Sequence, residues 1–187
     1  MQSAKEVRFH QVALPHMDAA YNLARWLTGD THEAEDIAQE AFLRAFRFFD
    51  GFRGEDARTW LLRIVRNTFY SERRRGREKV TEFDEELHSL VGDETPAAME
   101  RADANPESIL ARTDDVRLLD RALAELPVEY REALVLREIE DLSYKEIAVT
   151  LEVPMGTVMS RLARGRRLLQ ENFERLNEGK RWIAGKR

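Results

Sequence analysis

The sequence predicts an all-α protein made of two small helical domains joined by a flexible acidic linker. Three observations carry this. Apolar residues recur every three or four positions in both halves of the 187-residue chain, which is the spacing of a helix face and not the alternation of a strand. Only nine glycines and five prolines interrupt a sequence that is 43% hydrophobic, a globular composition with few helix breakers. Charge is unevenly placed: residues 1–80 hold 14 basic and 12 acidic side chains, residues 81–115 hold 2 and 11, and residues 116–187 hold 14 and 12. The net charge of −5 therefore comes from an acidic middle.

That middle, "TEFDEELHSLVGDETPAAMERADANPESILARTDD" at 81–115, mixes charge, Pro, Asn and Gly with few large apolar residues. It cannot bury enough surface to fold alone and reads as a tether. A flexible coil of this length has an r.m.s. span of roughly 30–35 Å. Extended, it reaches about 120 Å. Cysteine is absent, which excludes disulfides, thiolate zinc sites and cysteine nucleophiles and fits a reducing compartment. With no apolar run near the roughly 20 residues that span a bilayer, and no signal-peptide core in "MQSAKEVRFHQ", the expectation is a soluble cytoplasmic protein.

The first domain, residues 1–80, is helical throughout. In "THEAEDIAQEAFLRAFRFFD" the positions Ala34, Ile37, Ala38, Ala41, Phe42, Ala45, Phe46 and Phe49 form one stripe, with Thr31 as the expected N-cap. Glu35, Asp36, Gln39, Glu40, Leu43 and Arg44 form the opposite face. "DGFRGED" breaks the pattern, and a further helix is expected from Ala57 to Arg75, burying Leu61, Ile64, Val65, Thr68 and Phe69. At about 100° per residue, Arg63, Arg66, Asn67, Tyr70 and Arg74 then share the other side. Such a face is either solvated or a nucleic-acid surface, on which arginines neutralise phosphates and Tyr70, with Trp60 or Phe52 nearby, stacks on unpaired bases.

The second domain, residues 116–176, contains "LSYKEIAVTLEVPMGTVMSRLARGRRLL". Ser143 and Glu146 have the spacing of a capping box. Leu151, Glu152 and Val153 make a break, and Pro154 suits the first position of a new helix. On that helix Met155, Val158, Leu162, Gly165 and Leu169 are expected to face inward, while Thr157, Ser160, Ala163, Arg164 and Arg167 face outward. Two short helices, the second with a polar and basic outer face, are a helix-turn-helix that lays its second helix in the major groove. Residues 177–187 form a basic tail. Glu35, Asp36 and Glu40 with His32 spread over a solvated face with no second ligand cluster, so neither a metal site nor a cofactor is expected, and no enzyme.

In this order, "AEDIAQEAFLRAF" (34–46), "FRGEDARTWLLRIVRN" (52–67), "NPE" (105–107), "LAELPVEYREALVLREIEDLSYKEIA" (123–148) and "GTVMSRLARGRR" (156–167) resemble the extracytoplasmic-function sigma factors. These are bacterial initiation subunits of the sigma-70 family. The resemblance covers nearly all of the chain outside the linker. Met159 and Ala163 depart from it, standing where larger polar or aromatic groups are common.

The resemblance implies two partners, core RNA polymerase and promoter DNA, and a third in an anti-sigma protein that holds the factor inactive. It assigns core docking to Asp36, Gln39 and Glu40. It assigns the unpaired strand of the minus-ten element to Phe52, Trp60, Arg63, Arg66, Asn67, Tyr70 and Arg74. The minus-thirty-five element falls to Thr157, Ser160, Arg161 and Arg164, with Arg166 and Arg167 on phosphates. Within the family, "GTVMSRLARGRR" resembles members that answer thiol-oxidation stress. The rival expectation is a stand-alone helix-turn-helix regulator that binds DNA as a dimer, for which the sequence lacks a dimerisation helix or sensing domain.

Overall fold

A computed structural model describes residues 4–54, 56–83 and 110–184, and every regular element among them is helical. The first domain comprises α1 (Ala4–Ala13), α2 (Met17–Thr28), α3 (Thr31–Phe48) and α4 (Ala57–Phe83). The second comprises α5 (Leu110–Ala124), α6 (Val128–Leu134), α7 (Tyr144–Leu151) and α8 (Met155–Ala184). Both ends of the expected linker are thus helical. Its centre, with the "NPE" motif, and the tail beyond residue 184 lie outside the described residues. No described helix is long and apolar enough to cross a membrane.

Local chemistry sets the helix ends. Gly29, at φ 76°, closes α2 in the left-handed conformation that favours glycine, its N–H bonded to the Arg25 carbonyl. Asp30, not Thr31, caps α3: its carboxylate accepts the Glu33 N–H at 2.8 Å, a stronger cap than a hydroxyl one residue later. The Ser143–Glu146 capping box on α7 is complete, at 2.7 and 3.3 Å. α8 starts one residue after Pro154, whose carbonyl accepts the N–H groups of Thr157 and Val158, so the proline stands at the cap.

Helices α2, α3 and α4 pack on one another and on α1 around Leu23, Leu27, Ile37, Leu61, Leu62 and Val65. Alanines 20, 24, 34, 41 and 45, all fully buried, allow the close approach. Phe9, Phe49, Phe52 and Trp60 close the bottom of this core, with Phe52 and Trp60 ring centroids 4.9 Å apart. The second core gathers Leu123, Leu134, Leu136, Ile147, Leu151, Val158 and Leu162. Gly165 of α8 lies against α6, where a Cβ would come within 3.2 Å of Leu134. Met155, expected inside, is exposed, because residues 154–156 stand clear of the domain and the buried stripe begins at Val158.

The two domains pack directly on each other, α4 against α7 and α2 against α6. A π-helical turn at Val135–Ile139 continues α6, and its register carries the Glu140 side chain into this seam.

Candidate nucleic-acid interface

The face of α4 anticipated as basic is intact, and it lies under the second domain. Glu132 of α6 is 1% exposed and accepts four hydrogen bonds from three side chains, one of them from Arg66 Nη2 to Oε1 at 3.4 Å. Arg66 Nε reaches its Oε2 at 3.0 Å, the Tyr70 hydroxyl reaches the same oxygen at 3.1 Å, and Arg161 Nη1 of α8 reaches Oε1 at 3.0 Å. The Arg66 guanidinium also sits over the Tyr70 ring, 4.7 Å from its centroid. One carboxylate therefore holds residues from both faces expected to meet DNA. Burial and the neighbouring Glu132 charge push the Tyr70 phenol up to about 12, so it remains a donor at working pH.

A polar recess of about 270 Å³ adjoins this network, lined by Arg66, Asn67, Tyr70, Ser71 and Arg74 from α4 and by Glu152 from the break before α8. Glu152 adopts the left-handed conformation at φ 55°, uncommon for a residue with a side chain, which sharpens the turn. A second ion pair crosses the seam nearby, from Arg58 to Glu140, whose side chain is 4% exposed. Arg63 lies half-buried on the same side of α4.

The structure sorts the expected site residues. Arg66, Asn67, Tyr70 and Arg74 come together. Phe52 and Trp60, 9% and 8% exposed, face the core, so their rings brace the loop and are not open for stacking. On α8, Ser160, Arg164 and Arg167 are exposed and Thr157 is half-buried. Arg161 turns inward to Glu132, because it lies on the flank of α8 next to α6. Arg166 pairs with Glu138 at 2.7 Å, and that bond raises its already high pKa.

On α3, Asp36 and Gln39 are exposed, and Glu40 is bonded to Arg44 at 2.7 Å. That bond holds the Glu40 carboxyl below the usual glutamate range. Arg44 continues to Glu72 of α4 at 3.1 Å, an ion pair that joins α3 to α4 at the surface. Among the described residues, no group of three or more His, Cys, Asp or Glu is placed to hold a metal ion.

Sequence reasoning missed Glu132, Glu140, Glu152 and Arg58. A signal existed in "REALVLREIE": the run Ala133–Leu136 is apolar on every side, so its charged neighbours could not all reach water.

Comparison with known proteins matches this architecture. Residues 13–79 fit the family model of Sigma-70 region 2, and residues 117–169 fit that of Sigma-70, region 4. The chain is 43% identical over 160 residues to the ECF RNA polymerase sigma factor SigE of Mycolicibacterium smegmatis, covering 83% of this chain and 58% of that protein. It is 34% identical over 182 residues to the RNA polymerase sigma-H factor of Pseudomonas aeruginosa, covering 94% of this chain and 91% of that protein. Among solved structures, the sigma factor RpoE of Bartonella quintana, in complex with the anti-sigma factor NepR, superposes with a TM-score of 0.71 at 28% identity, over 89% of this chain and 97% of that one. On these matches and its two-domain helical architecture, the chain belongs to the extracytoplasmic-function sigma factors of the sigma-70 family.

Proposed function

We propose that this chain is a cytoplasmic, non-catalytic subunit that directs core RNA polymerase to particular promoters and starts their melting. The observation that carries the reading is the joining, in one chain, of a basic α4 face bearing Tyr70 and Asn67 to a helix-turn-helix whose α8 presents Ser160, Arg164 and Arg167. Melting needs no reacting group. Bases that leave the duplex are stabilised by stacking at roughly 1–3 kcal/mol each, which offsets their lost pairing when several are held together. Tyr70, with Arg66 over its ring, is the stacking platform; Asn67 offers hydrogen bonds, while Arg63 and Arg74 meet phosphates. Phe52 and Trp60 contribute by holding the loop that enters α4.

Upstream, Arg164 is the residue best placed for a base edge, and Thr157 and Ser160 flank it. Arg167 and, once released from Glu138, Arg166 meet phosphates. Asp36, Gln39 and Glu40 form the docking face for core polymerase. The closed packing has a consequence for order: Arg66 and Tyr70 cannot take DNA while Glu132 occupies them. Core polymerase must therefore part the domains, and the linker expected over residues 81–115 would let two promoter elements about two helical turns, ~70 Å, apart be met together. An anti-sigma protein would act by favouring the closed form.

The test is run-off transcription with purified core polymerase on a genomic fragment library. Discrete transcripts that require this chain support the reading. Tight, sequence-specific shifts of duplex DNA by the chain alone, with no transcript, would favour a stand-alone dimeric regulator.

A further inference from the structure

The outward arc of α8 is not uniformly polar. At about 100° per residue, Met159, Ala163, Gly156, Arg167, Ser160 and Arg164 follow one another across it; Met155 lies one turn before Met159, and Arg166, paired with Glu138, shares that edge two turns further along the helix. Met155 is 53% and Met159 54% exposed, although the same helix buries Val158 and Leu162 completely. Two half-exposed thioethers one turn apart, followed by exposed Ala163, make an apolar strip beside the polar strip of Ser160 and Arg164.

An aqueous surface gives such a strip no reward, and a phosphate backbone offers it no contact. The flanking Arg164 and Arg167 select an anionic partner. Within the major groove of duplex DNA, the apolar group on offer is the C5-methyl of thymine. Methionine suits that contact because its unbranched, polarisable chain adapts to a small target.

We propose that Met159, with Met155 beside it, reads a thymine C5-methyl in the upstream promoter element, so that an apolar contact sets the preference at one position while Arg164 sets another by hydrogen bonds. The proposal rests on the reading of α8 as the groove-facing helix. It accounts for a recognition helix that puts methionine at the edge of its arc where a polar residue would report a different base.

The experiment uses the holoenzyme, assembled from core polymerase and this chain, to select duplexes from a library randomised upstream of the start site. Each thymine enriched in the upstream block is then replaced singly by deoxyuridine, which removes the methyl and nothing else. Wild-type holoenzyme is expected to lose roughly three- to sixfold in affinity at one or two positions, the scale of withdrawing one methyl from water. Met159→Ala should bind the thymine duplex as weakly as wild type binds the deoxyuridine duplex, and should no longer distinguish them. Met159→Leu should keep the distinction. Absence of any enriched thymine, indifference of the wild type to every deoxyuridine, or full discrimination by Met159→Ala would overturn the proposal. Arg164→Ala separates this from failure of the underlying reading: a changed selected sequence with Arg164→Ala alone leaves α8 in the groove and removes the methyl contact, whereas no change with either variant removes α8 from the groove.

Discussion

Arg66 of the first domain and Glu132 of the second form an ion pair at 3.0 Å in which the carboxylate is almost wholly buried. A buried charge that loses its partner is strongly destabilised, by about 3–5 kcal/mol if it cannot reach water. On the function proposed above, the domains part on core polymerase, and Glu132 then reaches water. On that reading, opening the seam and breaking its ion pairs are one event.

Arg58→Ala tests this without touching the residues assigned to DNA. It strands Glu140, which is 4% exposed, and the expected response is domain separation. Small-angle scattering of the free chain should show an increased radius of gyration, with helix content by circular dichroism unchanged. An unchanged radius would mean that the apolar part of the seam holds the domains alone.

Reversing charge at Asp36 and Glu40 should weaken core binding while leaving the fold in place. Exposed substitutions usually cost under about 0.5 kcal/mol, and losing the Glu40–Arg44 pair adds a similarly small amount, about 0.3–0.5 kcal/mol. Pull-down with core polymerase reads the first effect and thermal unfolding the second. Full affinity in the double variant would remove α3 from the docking face.

Acid should weaken the second domain through its capping box. Bonding from Ser143 lowers the Glu146 pKa. A carboxyl lowered by folding contributes stability that is complete above its unfolded value and is lost as pH falls through the lowered folded value. Ser143→Ala should cost about 0.5–2 kcal/mol near neutrality. The gap to wild type should narrow as pH drops below the ordinary glutamate range, measured by denaturant unfolding across a pH series.

Gly165→Val should destabilise the second domain by about 1–3 kcal/mol, since branched carbons would press on Leu134 and Tyr130 where even one Cβ is tight. Denaturant unfolding of the variant reads this directly. A neutral result would show that α6 can move away from α8.

The helical elements and the two faces were legible in the sequence because they depend on period alone: Ala34 to Phe46 on α3, Phe49 just beyond its end, and Leu61 to Phe69 on α4 occupy the stripe that spacing assigned. Caps were legible where two residues had to agree, as Ser143 and Glu146 do. Asp30 was not, because Asp and Thr are adjacent and both can cap. Phe52 lies in the loop before α4 and carries no periodic label, and Trp60, inside α4, falls between the apolar stripe and the basic face, so spacing did not tell core from ligand contact for either. The Glu132 junction was hidden for a deeper reason. Its three donors lie 66, 62 and 29 residues away along the chain, and only tertiary packing brings them to one carboxylate.

Permanganate reactivity of promoter thymines in the holoenzyme reads the division of labour between α4 and α8. Ala at both Asn67 and Tyr70 should leave binding to closed duplex nearly unchanged and abolish strand opening. Arg164→Ala should weaken duplex binding by roughly 1–3 kcal/mol and leave opening intact once DNA is bound. Repeating the measurement on a template with a pre-melted bubble should rescue the Asn67/Tyr70 variant far more than the Arg164 variant. Equal rescue of the two, or loss of closed-complex binding in both, would mean that α4 and α8 do not divide melting and upstream recognition between them.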